Sequence, residues 1–274
     1  MTRDDLFRRI RDKRSYLCVG LDPDPAKLPR HLRDAPDPIF EFNRQIIDAT
    51  HDLCVAYKPN LAFYESLGPR GWEALQRTLD HVPDGLFTIA DAKRGDIGNT
   101  SRMYARAFFE AMDCDAVTVA PYMGEDSVTP FLEFEGKWVV LLALTSNAGS
   151  LQFQMQELQT RELLFEKVIR TAQRWGHADQ LMFVVGATQT EHLRRVRELA
   201  PDSFLLVPGV GAQGGDLAAV SRLGMNDHCG LLANASRSIL YAGDGPDFAD
   251  RARAAALAVQ QQMAGLLDER FGEG

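Results

Sequence analysis

Residues 86–109 read LFTIADAKRGDIGNTSRMYARAFF, in which an apolar run, a polar loop and an amphipathic segment follow one another. The apolar run at 86–90 is typical of a buried strand, whereas the apolar residues after 100 recur at helical spacing. A strand, a loop and a helix in this order make one unit of an α/β fold. The fold class therefore depends on how many such units the chain contains.

The same unit recurs along the whole chain. Amphipathic segments separate the apolar runs, and a long last helix is predicted at about 247–267. A doubly wound sheet would alternate in the same way, so the number of strands decides between the two folds. Eight strands without a linker predict a single-domain (β/α)8 TIM barrel over residues 1–274, with an N-terminal helix at about 2–13 that caps the barrel bottom. The strand candidates are 16–21, 54–57, 86–90, 116–120, 138–144, 181–185, 204–207 and 230–233.

The bulk properties exclude several function classes. A chain of 274 residues is long enough for one such barrel, which needs about 250. The formal charge of −8 argues against a nucleic-acid partner, which would need a basic face. No apolar run approaches the ~20 residues that cross a bilayer, and the charged N-terminus has no signal-peptide core, so we predict a cytoplasmic protein. The scattered cysteines indicate buried thiols, and the histidine spacing predicts no metal site.

Polar residues follow most of the predicted strands. In barrels of this type the active site lies at the carboxyl ends of the strands, so these residues are expected to converge on one mouth. They are Asp22, Lys58, Asp91 with Lys93, Thr145 with Ser146, Pro208 with Gly209, and the residues from Asn234 to Arg237.

The densest of these groups is the charged cluster after the third strand. On an extended backbone Asp91 and Lys93 project to the same side, and Lys58 and Asp96 can complete an alternating array of carboxylates and ammonium groups. A protonated lysine held beside negative charge is suited to delivering a proton to a forming carbanion. The alternatives are an exposed loop with a surface ion pair and, for Lys58, a solvated charge at a strand end.

The opposite half of the predicted mouth has the character of a phosphate site. Residues 207–216 form a glycine-rich turn after the seventh strand, where backbone N–H groups can approach an anion, and Arg237 follows the eighth. Loops also need glycine for their own turns, so the position in the strand order carries this interpretation. Asp22 could accept hydrogen bonds from sugar hydroxyls, while Thr145 and Ser146 could meet a heterocycle edge. A ligand with a phosphate, a ribose and a polar ring fits these parts.

Taken together, these motifs resemble the orotidine 5′-phosphate decarboxylase family in its longer bacterial form. The resemblance rests on VGLDP at 19–23, DAKRGDIGNT at 91–100 and the Ser236-Arg237 pair, and it runs over the whole barrel. It implies decarboxylation of orotidine 5′-monophosphate to uridine 5′-monophosphate without a cofactor, and Lys93 as the proton donor to C6. It assigns catalysis to Lys58, Asp91, Lys93 and Asp96, and substrate binding to Asp22, Thr100, Thr145, Ser146, Gln213 and Arg237.

The resemblance also implies a homodimer. In the family, the residues that correspond to Asp96 and Thr100 enter the active site of the neighbouring subunit. One departure concerns the phosphate side: here the arginine lies in NASRSI at 234–239, whereas shorter family members carry a Val-Gly-Arg turn. The backbone contacts around the phosphate are therefore less well defined by the resemblance than Arg237 itself.

Two other functions fit parts of the pattern. A magnesium-dependent decarboxylase or aldolase of sugar phosphates uses a similar Asp-x-Lys-x-x-Asp pattern after strand three, but it needs a carboxylate where Lys58 stands. A non-catalytic sensor of a phosphorylated ligand could also use a barrel. A sensor, however, gives no reason for the charged array.

Overall fold

The protein is a closed barrel of eight parallel strands in sequence order, with helices between them. The computed structural model describes residues 1–188, 190–210 and 216–272, with only the backbone at residue 190. The predicted (β/α)8 class is therefore confirmed. The strands are β1 Leu17–Leu21, β2 Ala56–Pro59, β3 Phe87–Arg94, β4 Ala116–Val119, β5 Trp138–Leu144, β6 Leu181–Val185, β7 Leu205–Pro208 and β8 Leu231–Ala235.

Helices cover the outside of the barrel. Those of the described residues are α1 Arg3–Lys13, α2 Pro38–Thr50, α3 Ala62–Glu65, α4 Pro69–His81, α5 Gly98–Arg106, α6 Glu125–Leu132, α7 Leu164–Ala172, α8 Thr190–Leu199, α9 Leu217–Gly224, α10 Arg237–Leu240 and α11 Phe248–Phe271. A π-helical turn, Ala107–Ala111, follows α5 directly. Among the described helices, none combines the length and apolar character that a membrane span requires.

Helix α1 begins at a capping box, in which Thr2 and Asp5 each accept from the other's backbone N–H. Its Leu6 and Ile10 side chains are buried. The carbonyl of Met1 accepts from the Trp138 indole at 2.8 Å, at the first residue of β5. Lys13 donates to carbonyls just before β2, including that of Cys54 at 2.9 Å. The contacts of α1 therefore include residues at the amino ends of strands.

The barrel interior is almost entirely apolar below its mouth. Strands β1, β4, β6 and β8 are buried along their whole length, because both faces are covered by side chains and helices. The four cysteines are buried free thiols, as the sequence indicates. Toward their carboxyl ends, β2, β3, β4 and β8 carry polar side chains within the strand, and β3 also carries Thr88 near its amino end.

Candidate active site

The centre of the mouth is a buried carboxylate that holds two ammonium groups. Asp91 Oδ2 accepts from Lys58 Nζ at 2.8 Å, and Asp91 Oδ1 accepts from Lys93 Nζ at 2.5 Å. Lys58 is 3% exposed and Asp91 9%, whereas half of the Lys93 side chain is open to solvent. The array thus joins a buried ammonium group through one carboxylate to an ammonium group at the surface of the mouth.

The route that brings Lys93 to Asp91 differs from the predicted one. Strand β3 continues to Arg94, and its pairing with β4 shifts by two residues between Ala90 and Arg94. Lys93 lies in the left-handed region at φ 48°, so the extended backbone assumed from sequence does not hold there. The two side chains meet because the strand is bulged, not because it is regular.

Thr118 on β4 holds this bulge. Its hydroxyl accepts from the Lys93 backbone N–H at 2.8 Å and donates to Asp91 Oδ1 at 3.1 Å. Thr118 is 1% exposed, so the contact is inside the barrel. Sequence reasoning missed this residue, although a hydroxyl in the apolar run AVTV was a signal that could have found it.

Opposite charges keep the buried pair ionised. Burial opposes ionisation of Asp91, but the nearby ammonium groups of Lys58 and Lys93 outweigh it and lower the pKa of the carboxyl to about 2. Burial likewise opposes the charged form of Lys58, yet Asp91 and then Asp22 raise the pKa of this lysine above its ordinary value. The array therefore carries fixed charge at neutral pH.

Beside the array lies a cavity of about 170 Å³ that reaches from β1 and β2 to β7 and β8. On its β1 side Asp22 Oδ2 accepts from Ser236 Oγ at 2.5 Å. Among the predicted site residues, the cavity brings together Asp22, Lys58, Asp91 and Arg237. Its full lining is Asp22, Lys58, Asn60, Asp91, Pro208, Gly209, Val210, Asn234, Ser236, Arg237 and Ser238.

The predicted base-contacting residues follow β5. Thr145 donates its backbone N–H to Gln154 Oε1 at 2.7 Å, and its hydroxyl contacts Asn147 at 2.6 Å. Ser146 is exposed and lies against Gly186 after β6, where an added Cβ would stand 2.6 Å from Ser146 Cβ. Glycine at 186 is therefore required for the close approach of these two loops.

Three predicted residues form no hydrogen bond or ion pair with the array among the described residues, although one of them, Arg237, stands at the rim of the same cavity. Asp96 Oδ1 accepts from the neighbouring Ile97 N–H at 2.8 Å, and no described lysine or arginine lies within ion-pair distance of it. Thr100 and Arg237 are exposed, and within the described ranges neither side chain has a hydrogen-bond or ion-pair partner. Gln213 lies outside the described residues.

Comparison with known proteins decides the family. A sequence model described as the orotidine 5′-phosphate decarboxylase / HUMPS family matches residues 15–252. The chain belongs to this family. A relative named orotidine 5′-phosphate decarboxylase from Bacteroides fragilis is 59% identical over 267 residues, covering 96% of this chain and 97% of its own. The protein of the same name from Flavobacterium johnsoniae is 56% identical, covering 99% and 100%.

A solved structure shares both family and fold. The OMP decarboxylase of Leishmania donovani is 37% identical and superimposes with a TM-score of 0.83, covering 97% of this chain and 98% of its own. The predicted family resemblance is therefore confirmed, and so is the assignment of the chain to a family of carboxy-lyases.

The described residues offer little to a metal ion. Across 1–188, 190–210 and 216–272, no three His, Cys, Asp or Glu side chains are grouped so that they could hold one. The carboxylate of Asp91 is already bonded to two ammonium groups, and one oxygen of Asp22 is bonded to Ser236. What the arrangement offers chemically is preorganised charge and an ammonium donor at the mouth.

Proposed function

We propose that this protein decarboxylates orotidine 5′-monophosphate to uridine 5′-monophosphate, with Lys93 as the proton donor and without a cofactor. The observation that carries the proposal is one buried carboxylate, that of Asp91, which holds both Lys58 inside the barrel and Lys93 at its mouth. The curated relatives and the Leishmania donovani structure support the substrate, because their names state this activity.

In the proposed reaction the bond between C6 of the pyrimidine and its carboxylate carbon breaks. Carbon dioxide leaves, and the electron pair of the bond remains on C6. Lys93 Nζ–H then delivers its proton to C6, which gives the product, and the neutral amine takes a proton back from water. Asp91 holds Lys93 and lies against the departing carboxylate, and fixed charges that need no rearrangement can lower such a barrier by several kcal/mol.

The remaining residues bind the substrate. Asp22 receives ribose hydroxyls, and Lys58 balances charge and reaches the ribose. Ser146, with Thr145 beside it, contacts the base. Arg237 and Gln213 bind the phosphate; Arg237 supports this role by lining the cavity with its guanidinium unpaired within the described chain. A bidentate contact from arginine is well suited to a phosphate.

We also propose a two-fold homodimer in which Asp96 and Thr100 act in the partner's site. Exposed apolar side chains lie close to Asp96: Ile97, which follows it in the chain, is 54% exposed, and Met123, which would stand 3.5 Å from a Cβ at Gly95, is 49% exposed and follows Tyr122 at 87%. Single exposed apolar residues are ordinary, but a group of them beside charged family-motif residues supports a contact surface.

We further infer that helix α1 closes the bottom of the barrel. Lys13 at its end donates to the carbonyl of Cys54, two residues before β2, and Met1, just before the helix, accepts from Trp138 at the first residue of β5. Its buried Leu6 and Ile10 belong to the same hydrophobic core as the strands.

The test is the loss of orotidine 5′-monophosphate absorbance with purified protein in the presence of EDTA. We expect turnover that the chelator does not change. Activity that EDTA abolishes and magnesium restores would favour the metal-dependent alternative. Binding of the substrate without any turnover would favour the sensor.

A further inference from the structure

Asn234 is a buried polar residue that the argument from sequence left without a role. It lies on β8, is 6% exposed, and lines the cavity beside the charged array. Its amide oxygen has no hydrogen-bond partner among the described residues. Since a buried acceptor without a partner destabilises the protein, such an atom in the cavity beside the array indicates a missing donor.

The neighbouring strand leaves room for that donor. Gly20 on β1 faces the same side as Asn234, and a Cβ at this glycine would stand 3.3 Å from Asn234 Oδ1 and 2.6 Å from Ser236 Oγ. Any side chain there would collide with Ser236 and crowd the Asn234 amide oxygen. Glycine at position 20 therefore keeps the space between β1 and β8 open.

A second acceptor stands on the other side of this space. Asp22 Oδ2 is occupied by Ser236, but Asp22 Oδ1 is buried and has no partner within the described chain. At this place Asp22 would repel a phosphate or carboxylate and the Lys58 ammonium would repel a cation, so the fitting ligand group is a neutral donor. The cavity wall thus offers two unpaired acceptors, from Asn234 and Asp22.

Lys58 supplies the complementary donors. Its ammonium carries three N–H groups, of which one is bonded to Asp91 Oδ2. A hydroxyl group both donates one hydrogen bond and accepts others. Two neighbouring hydroxyls could therefore accept from Lys58 while each donates to one of the two acceptors.

We propose that Asn234 is a substrate-binding residue whose amide oxygen accepts a hydrogen bond from one ribose hydroxyl, while Asp22 accepts from the adjacent one. This inference rests on the proposed function. It makes Asn234 a residue that selects the intact ribose over a sugar that lacks the hydroxyl it meets, and it lies at the strand end where this chain carries NASR and shorter family members carry a Val-Gly-Arg turn.

The test is a double-mutant cycle between the protein and the substrate. Wild type and Asn234→Ala are assayed with orotidine 5′-monophosphate and with its 2′-deoxy and 3′-deoxy analogues. In the wild type, removal of the hydroxyl that meets Asn234 should lower kcat/KM by about 10- to 100-fold. In Asn234→Ala the same removal should cost less than about threefold, because the partner is already gone.

Two further variants make the result specific. Asn234→Asp keeps an acceptor at the same reach and should retain most of the discrimination. Asn234→Ser, which removes the amide with a smaller loss of polarity, replaces the alanine variant if that protein does not fold. An equal loss of kcat/KM with all three substrates in Asn234→Ala or Asn234→Ser would overturn the proposal and leave Asn234 as a packing residue or a water ligand.

A different outcome would separate this inference from the function on which it rests. If the wild type fails to turn over orotidine 5′-monophosphate at all, the proposed function is wrong. If the wild type decarboxylates the substrate and its deoxy analogues equally well, the function stands and the role of Asn234 is wrong.

Discussion

Lys58 and Asp91 are held by contacts inside one chain, whereas Arg237 projects from the rim of the same mouth, and its side chain has no partner among the described residues. The difference follows from burial. A charge at 3% exposure must be paired during folding, because an unpaired buried charge costs several kcal/mol. A charge in solvent costs little, so it can remain free for a ligand or a partner subunit. Folding therefore fixes the geometry of the charged array. Binding of a ligand or a partner subunit would supply the contacts that the residues at the rim lack.

Lys93 connects the buried Lys58–Asp91 pair with the exposed rim, since it is paired to Asp91 but half of its side chain is exposed. Lys93→Ala should lower kcat by about 10⁴-fold, because the proton donor is lost. Stability should fall by less than about 1 kcal/mol, as for an exposed ion pair. Steady-state assays and urea unfolding measure the two effects. Near-wild-type turnover would remove Lys93 from the mechanism.

Asp91→Asn, in contrast to Lys93→Ala, should reduce the stability of the protein strongly. The variant keeps the shape of the side chain but leaves the buried Lys58 ammonium without its counterion. We expect a loss of about 3–5 kcal/mol in the free energy of unfolding at pH 7. A loss similar to that of Lys93→Ala would contradict the distinction between the buried pair and the exposed one.

Arg237→Ala removes a side chain at the rim and leaves the charged array intact. We expect kcat/KM to fall roughly 10- to 100-fold through loss of a charge-assisted phosphate contact, with unchanged unfolding. If phosphate binding energy also supports the chemical step, phosphite dianion should partly restore turnover of orotidine, which lacks the phosphate, by the wild type. Without a phosphite response, Arg237 would serve affinity only. Arg8→Ala on α1 is the control, since Arg8 is an exposed arginine whose only described ion pair is local.

Acid should weaken the buried pair in a defined range. The folded pKa of Asp91, about 2, lies below the ordinary 3.8, so its contribution is full above about pH 4 and is lost as the pH falls toward 2. The shift corresponds to roughly 2 kcal/mol. The stability gap between wild type and Asp91→Asn should narrow by this amount on acidification, as measured by urea unfolding at several pH values. A constant gap would contradict the assignment.

Subunit mixing tests whether the rim is completed by a partner. If Asp96 acts in the neighbouring site, Asp96→Ala and Lys93→Ala are each inactive, but a hybrid dimer has one intact site of two. An equal mixture that exchanges subunits should recover at most about a quarter of wild-type activity. Hybrids that form and remain inactive would show that Asp96 acts within its own chain.

The number of strands, their order and the polar residues at their ends were predictable from the sequence, because period and composition are properties of the local chain. The family motif at 91–100 also located Asp91 and Lys93. The predicted positions of the strand ends were less accurate. Lys58 and Asp91 lie inside β2 and β3, although the apolar runs in the sequence end before these residues. Burial in a closed barrel lets a strand continue through charged residues once those charges pair with one another.

Only the tertiary structure decided the contacts between strands that are distant in the chain. The bulge at Lys93 depends on Thr118 from β4, and the open space at Gly20 depends on Asn234 and Ser236 from β8. Strand register sets these contacts, and register is fixed by packing of the whole barrel rather than by any local segment. The sequence thus pointed to Lys58, Asp91 and Lys93 as members of one array, whereas Asp96, which was expected to complete it, forms no hydrogen bond or ion pair with the other three within the described chain. Barrel closure determined which neutral side chains hold the array and which acceptors are left open for a ligand.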